Sequence, residues 1–368
     1  MQLCVENEEV KECRGMEQKT PDFLIAAKEN NASDIFVVAG LPLTFKVGEK
    51  LVPYGERMMP EMIHELLSTI YQMAGNRDIN PFLKSGDDDF SFSVAGLSRF
   101  RVNAYQQRGS LAAVIRIIAF ELPDPTQLRI PQSVMESADF TKGMVLVTGP
   151  AGSGKSTTMA CMIDRINHTR SGHIITLEDP LEYLHRHGKC IISQREVYTD
   201  TDSYLVSLRA ALRQTPDVIL LGEMRDLETI QAAMTAAETG HLILSSLHTI
   251  GAANTISRIM DVFPPNQQHQ IAVQLSMVLQ AVISQQLVPD VDGNTIPVFE
   301  VMRLTTAIRN MIRDDKIYQI EGVIYSSSNQ NMCSMDSSLL ALYKEGRITK
   351  ETALTHATNE EMLRRKLG

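Results

Sequence analysis

The run Gly149-Pro150-Ala151-Gly152-Ser153-Gly154-Lys155-Ser156, followed by Thr157, holds residue types whose spacing could do phosphate chemistry. The pattern G-x-x-x-x-G-K-[ST] builds a loop whose backbone N–H groups turn inward around the phosphates of a nucleoside triphosphate. Glycine is needed at Gly149, Gly152 and Gly154 because those turns use conformations that a Cβ obstructs. Lys155 would place a point charge on the β- and γ-phosphates, and Ser156 would ligate Mg2+. The helix that follows would aim its positive end at the anion. The loop therefore predicts binding of ATP or GTP together with Mg2+.

Carboxylates and histidines come next. In an open α/β sheet the ligand lies beyond the carboxyl ends of the strands, so the residues just after each apolar run are the informative ones. Ile174–Leu177 is followed by Glu178, Asp179 and, past Pro180, Glu182; Val218–Leu221 is followed by Gly222 and Glu223. Phosphoryl hydrolysis needs a metal held near the phosphates and a group that orients the attacking water. Glu223 is assigned to the metal and water side, and Glu182 to water activation. The plainer alternative for Glu178, Asp179 and Glu182 is a capped turn with solvated acids. Asp217 stands before its strand, about 20 Å from Glu223 if extended, and cannot share that job. His241 and His248 bracket Leu242–Leu247, so an extended run separates them by about 20 Å and both cannot reach one γ-phosphate. His248, at the carboxyl end, is the sensor candidate, although a lone histidine is ordinarily a satisfied structural group.

A sheet must bring these groups to one edge. Met144–Thr148 reads as a buried parallel strand, and Met159, Met162, Ile163 and Ile166 recur at helical spacing after the loop. Runs at Ile174–Leu177, Val218–Leu221 and Leu242–Ser245 alternate with helical stretches, the pattern of a parallel sheet with crossover helices. Leu227–Thr239 is the clearest helix, with Asp226 to cap it and Gly240 to end it. Beyond residue 253 the chain is expected to be mostly helical. Upstream, Asp34–Val38, Phe90–Val94, Phe100–Ala104 and Leu111–Ile118 read as antiparallel strands, with a helix from Pro60 that ends at Gly75.

Length and composition set the frame. A chain of 368 residues, 43% hydrophobic, suits two domains. The expected division is a poorly ordered extension at 1–19, an α+β domain at 20–120 and a connector at 121–131 carrying Pro123, Pro125 and Pro131. An α/β domain with a helical C-terminal region follows at 132–368. A net charge of -9 argues against a constitutive nucleic-acid partner. The five cysteines, Cys4, Cys13, Cys161, Cys190 and Cys333, include no C-x-x-C pair, so a reducing cytosol is expected rather than a disulfide framework or a cysteine zinc site. Apolar runs such as Phe23–Ala27 fall far short of the ~18 residues of a membrane span, and the acidic N-terminus lacks the apolar stretch of a signal peptide.

The runs Gly149–Ser156, Thr176-Leu-Glu-Asp-Pro-Leu-Glu182, Pro216–Thr229 and Gly240-His-Leu-Ile-Leu-Ser-Ser-Leu-His-Thr249 together resemble the Walker A, Asp box, Walker B and His box of the secretion-superfamily ATPases. Ala307-Ile-Arg-Asn-Met-Ile-Arg-Asp314 is similar to a motif of that superfamily's type IV pilus retraction branch. The likeness spans about Ser33 to Ile348. It implies a PAS-like N-terminal domain joined to a RecA-like ATPase domain, assembled as a homohexamer with ATP held between neighbours. It also implies the work: hydrolysis turns an inner-membrane platform protein so that pilin leaves the fibre base, with the motor docked peripherally at the cytoplasmic face and a paralogous retraction ATPase as a further candidate partner. The catalytic glutamate of the family falls on Glu182, its Walker B glutamate on Glu223 and its histidine pair on His241 and His248. Arginines of the small domain are the family's charge stabilisers, and Arg101 and Arg116, with Arg99 beside them, are the matching candidates; the bland alternative is a solvated sheet face. Arg309 and Arg313, at i and i+4, would couple hydrolysis to retraction. Pilus extension and type II secretion ATPases share the nucleotide motifs but usually carry a tetracysteine insertion and a longer N-terminal region. A RecA-type DNA motor is disfavoured by the acidic balance. The sequence departs from the family at Gln214-Thr215, at Ser245-Ser246 and at Asp34-Ile-Phe36, and none of these removes a phosphate-site group.

Overall fold

The computed structural model describes residues 20–48, 50–118, 122–326 and 331–367. The extension expected at 1–19 lies outside them, as do Cys4, Cys13 and residue 121 of the expected connector. The chain divides into two compact units, Met1–Ala119 and Phe120–Gly368.

The first unit runs α1 (Asp22–Glu29), β1 (Asp34–Val37), β2 (Pro42–Val47), β3 (Lys50–Arg57), α2 (Pro60–Met73), α3 (Asn80–Ser85), β4 (Asp87–Val94), β5 (Ser98–Gln107) and β6 (Ser110–Ile118). Its six-stranded sheet has the order β3-β2-β1-β6-β5-β4, antiparallel throughout. Helix α2 starts at Pro60 because proline's fixed φ and missing N–H are harmless in a first turn. It buries Ile63, Leu67, Ile70 and Tyr71 at helical spacing against Phe90, Phe100 and Ile115 of the sheet. Gly75 then takes a φ of 74°, which ends the helix where the sequence places its stop. Along β5 the buried Phe100, Val102 and Ala104 alternate with less buried residues, the period-2 signature of one covered sheet face.

The second unit runs α4 (Gln132–Met135), β7 (Gly143–Thr148), α5 (Lys155–Thr169), β8 (Gly172–Glu178), β9 (Cys190–Glu196), α6 (Tyr204–Ala211), β10 (Val218–Leu221), α7 (Leu227–Glu238) and β11 (Leu242–Leu247). It continues through α8 (Ala252–Asp261), α9 (Pro265–Val278), β12 (Leu279–Pro289), β13 (Thr295–Arg303), α10 (Thr306–Arg313), α11 (Ile320–Ser326), α12 (Met335–Lys344), α13 (Lys350–Thr355) and α14 (Glu360–Leu367). The sheet has seven strands in the order β13-β12-β7-β11-β10-β8-β9, and only β13 runs antiparallel to its neighbour. Helices cover both faces. Met144 and Leu146 of β7 face the core built with α7, α8 and α9, whereas Val145 and Val147 face α5 through Met159, Met162, Ile163 and Ile166. Each such fully buried side chain contributes about 1.5–3 kcal/mol. The expected α/β class, a P-loop unit on a parallel sheet preceded by an α+β unit, is observed.

The region beyond residue 253 is mostly helical, as expected, but it also contributes two strands, β12 and β13, that extend the sheet. Strand β12 is buried on both faces yet carries Ser284, Gln285 and Gln286, so neither alternation nor a clean apolar run announces it. Strand β13 contains Pro297, which an edge strand tolerates because a missing N–H need not break a ladder there. Strand β9 was likewise not anticipated; it lies at the opposite edge, parallel to β8, with Gln194, Arg195 and Glu196 in its second half.

Candidate nucleotide site

Strand β7, central in the sheet, delivers the glycine loop at its carboxyl end. Gly149, Gly152 and Gly154 all take positive φ, at 146°, 75° and 86°. At Gly149 the reason is also steric: a Cβ would lie 2.1 Å from the Gln285 carbonyl oxygen on β12. Ser153 is buried behind the loop. Lys155 opens α5 and is itself buried, its ammonium donating to the carbonyls of Gly149 and Pro150, each at 2.9 Å. Burial pulls the Lys155 pKa below its ordinary value, and Glu182 and Glu223 act against that shift.

A cavity of about 290 Å³ opens beside the loop. Among its walls are Lys155, Ser156, Glu178, Glu182, Glu223 and His248, with Ala151 and Gly152 at the loop. Strand ends put them there. β8 leads to Glu178 and, past the buried Leu181, to the exposed Glu182. β10 leads to Glu223, whose carboxylate lies 2.7 Å from Arg225 Nε and 3.3 Å from His248 Nε2. The ends of β10 and β11 are tied together, since Ser246 Oγ donates to the Gly222 carbonyl at 2.6 Å and the Met224 N–H donates to that of Ser246 at 3.2 Å. Burial pushes the Glu178 carboxyl up to about 7, against hydrogen bonding from Thr176 and Gln194. Burial also pulls His185, another wall of the cavity, down to about 4, so its ring is neutral at pH 7.

Two expected loop residues turn elsewhere. Thr157 Oγ1 meets the Tyr183 hydroxyl at 2.8 Å, and with Gly154 it borders an adjoining cavity of about 390 Å³ that also touches Ile130, Gln285, Asp290 and Arg347. His241 does not join the site. It sits one strand length away, before β11, with Nδ1 at 2.9 Å from the Ala236 carbonyl, so within one subunit the histidine pair is split as the strand spacing requires. Asp217, at the same far end, accepts the His173 N–H at 2.8 Å.

Arg101 and Arg116 belong to the first unit and stand opposite each other on β5 and β6. Arg101 is paired with Asp89 at 2.6 Å and Arg116 with Asp34 at 3.0 Å. Arg99 lies two positions along the same strand, 3.3 Å from Ser93 Oγ. In α10, Ile308 and Ile312 are buried while Arg309 and Arg313 are exposed.

Sequence reasoning overlooked His185, Tyr204 and Arg225 among the cavity walls, and Gln285 behind the loop. Arg225 stood two residues past Glu223 and could have been found by the strand-end rule. Gln285 was hidden with its strand.

A glycine loop between a central parallel strand and a helix, with acids at the ends of neighbouring strands, defines a P-loop nucleotide-binding protein with a RecA-like core. The family model for "Type II/IV secretion system protein" matches residues 12–359, and the chain belongs to that family. It is 42% identical over 333 residues to the "Type IV pilus retractation ATPase PilT" of Pseudomonas aeruginosa, covering 90% of this chain and 96% of the relative. It is 39% identical over 344 residues to the "Type IV pilus ATPase PilU" of the same organism, covering 92% and 89%. A solved structure of the pilus retraction motor PilT with bound ADP superposes with a TM-score of 0.85 at 44% identity, over 94% of this chain and 98% of that one.

Proposed function

We propose that the chain hydrolyses ATP with Mg2+ and spends the free energy on type IV pilus retraction. The observation that carries this reading is the convergence of Lys155, Ser156, Glu182 and Glu223 on one cavity at the carboxyl edge of the sheet. Lys155 offers a point charge to the phosphates, and backbone N–H groups of residues 150–155 cradle them. Glu182 orients the attacking water and accepts its proton at a carboxylate oxygen. His248 and Arg225 both hold the Glu223 carboxylate at one oxygen, Oε2. Ser156 and Glu223 would hold Mg2+; their oxygen donors suit a hard cation, and the described residues contain no cluster of three His, Cys, Asp or Glu that could hold a metal by protein alone. Mg2+ characteristically relies on one or two protein oxygens plus phosphates and water. When bound it would neutralise charge on the phosphate oxygens. The adjoining cavity beyond Thr157 has room for the nucleoside.

Similarity to the retraction ATPase and the pilus ATPase of Pseudomonas aeruginosa supports the biological half of the reading. In it, a homohexamer docks at the cytoplasmic face of the membrane on the inner-membrane platform protein, and Arg101 and Arg116 reach the nucleotide of a neighbour, where an arginine can supply about 10³–10⁵ in rate. Two measurements test it. Glu182→Gln should still bind nucleotide while turnover falls by about 10²–10⁴; unchanged turnover removes Glu182 from the mechanism. Cells lacking the chain should extend pili that never shorten, whereas loss of pili altogether would identify an extension motor.

A further inference from the structure

Between Glu178, the last residue of β8, and Cys190, the first of β9, the chain forms neither helix nor strand. Glu182 sits on this strap, exposed to the cavity. Backbone polar groups in such a segment need partners from elsewhere, because no ladder supplies them. Two amide side chains provide them. Asn167 of α5 donates to the Arg186 carbonyl at 2.9 Å and accepts the N–H groups of Gly188 at 3.0 Å and Cys190 at 3.2 Å, holding the far end. Gln194 of β9 holds the near end: its Oε1 accepts the His185 N–H at 2.7 Å and its Nε2 donates to the Tyr183 carbonyl at 2.9 Å. Tyr183, the residue after Glu182, is also tied to α5 through its hydroxyl and Thr157 Oγ1 at 2.8 Å.

We propose that Gln194 is a positioning residue for hydrolysis, fixing the strap so that Glu182 faces the phosphate loop. The inference rests on the reading of Glu182 as the water-activating group. Only an amide presents a donor and an acceptor side by side without charge, which is what a C=O at 183 and an N–H at 185 demand. Methionine has Gln194's length and neither group. Glutamate keeps the acceptor and loses the donor, so its carboxylate would confront the Tyr183 carbonyl. A site whose supporting groups are left loose loses rate before it loses binding, since the reacting group must be held to within about 0.5 Å. Nothing in the Gln194 contacts touches residues 149–156, so nucleotide affinity should be spared.

The experiment uses the full chain in three variants, Gln194→Met, Gln194→Glu and Glu182→Gln, with ATP turnover read beside the affinity of a fluorescent ADP analogue. Gln194→Met should lower kcat by about 10²-fold, the cost of roughly an ångström of misplacement, while ADP affinity stays within about threefold. Gln194→Glu should lower kcat likewise at neutral pH, because its carboxylate keeps the acceptor for His185 and loses the donor for Tyr183. A kcat within twofold of wild type in both Gln194 variants, beside an inactive Glu182→Gln, would overturn the positioning role. So would loss of ADP affinity in proportion to kcat. An active Glu182→Gln would instead remove the reading beneath it.

Discussion

Alanine at the three loop glycines should produce losses graded by what each new Cβ meets, not by conformational strain alone. All three glycines lie at positive φ: Gly152 and Gly154, at 75° and 86°, are near the left-handed region, where a side chain costs about 1–2 kcal/mol, and Gly149, at 146°, is outside that well, where strain costs about 1–3 kcal/mol. At Gly152 nothing lies within 4 Å of the added carbon, and at Gly154 the nearest atom is the movable end of the Gln285 side chain at 2.9 Å. Gly149 is different, because the obstacle at 2.1 Å is the Gln285 backbone carbonyl. That carbonyl belongs to β12, whose neighbouring Ser284 is paired with Thr148 of β7, so neither partner can move freely. Non-bonded heavy atoms settle at about 3.5 Å, so the loop must retreat by about an ångström or more. Displacement of that size costs about 10²-fold in rate and also pulls the backbone N–H groups off the phosphates. Gly149→Ala should therefore lose at least ten times more nucleotide affinity and turnover than Gly152→Ala, with Gly154→Ala between them. Equilibrium binding of a fluorescent ADP analogue and steady-state ATP turnover give the ranking, and denaturant unfolding checks that each variant is folded. If Gly149→Ala and Gly152→Ala prove indistinguishable while both are folded, crowding by β12 is not what demands glycine at 149.

Other expectations concern coupling and stability. Arg309→Ala removes an exposed side chain while Ile308 and Ile312 keep α10 docked, so ATP turnover should stay within about twofold while twitching of cells is lost; loss of hydrolysis would assign the residue to folding or ring closure. Because burial raises Glu178 from 4.5 in the unfolded chain to about 7, the folded state binds more protons between those values, and stability falls as pH rises through that window. Glu178→Gln should accordingly gain on wild type across pH 4.5 to 7, by on the order of 3 kcal/mol at the upper end, with little difference below it; denaturant midpoints over this range decide. Asp226 accepts the Thr229 N–H at 2.8 Å and its hydroxyl at 2.7 Å, so Asp226→Ala should cost about 1 kcal/mol of helix-cap stability, read as a shifted unfolding midpoint.

What the sequence made legible follows from where hydrophobic pattern and turn chemistry agree. Val218–Leu221 and Leu242–Leu244 are short apolar runs followed by glycine or serine, and the strands they announce, β10 and β11, are buried along their whole length. Asp226 and Gly240 frame α7 as capping chemistry demands. β12 was illegible because its buried polar residues are satisfied by partners far away in sequence: Ser284 Oγ accepts the Gly251 N–H at 2.9 Å, and Gln285 Oε1 accepts the Thr158 hydroxyl at 2.7 Å. A buried polar group costs little once hydrogen-bonded, so a strand can carry several without weakening. No local pattern, however, announces that the partners exist.

The same distinction divides the site. Residues that would touch phosphate, metal or water were readable, because they must stand directly after a strand or within the glycine loop, and those places are marked by composition. The groups that hold them in place obey no such rule. Gln285 shapes the loop from β12, Gln194 grips the Glu182 strap from β9, and Tyr183 bolts that strap to α5, each acting from a separate element. Both glutamines lie on strands whose polar content concealed them. The concealment and the role share one cause, because an amide placed in a sheet to serve a loop must interrupt the apolar pattern that would have identified the strand.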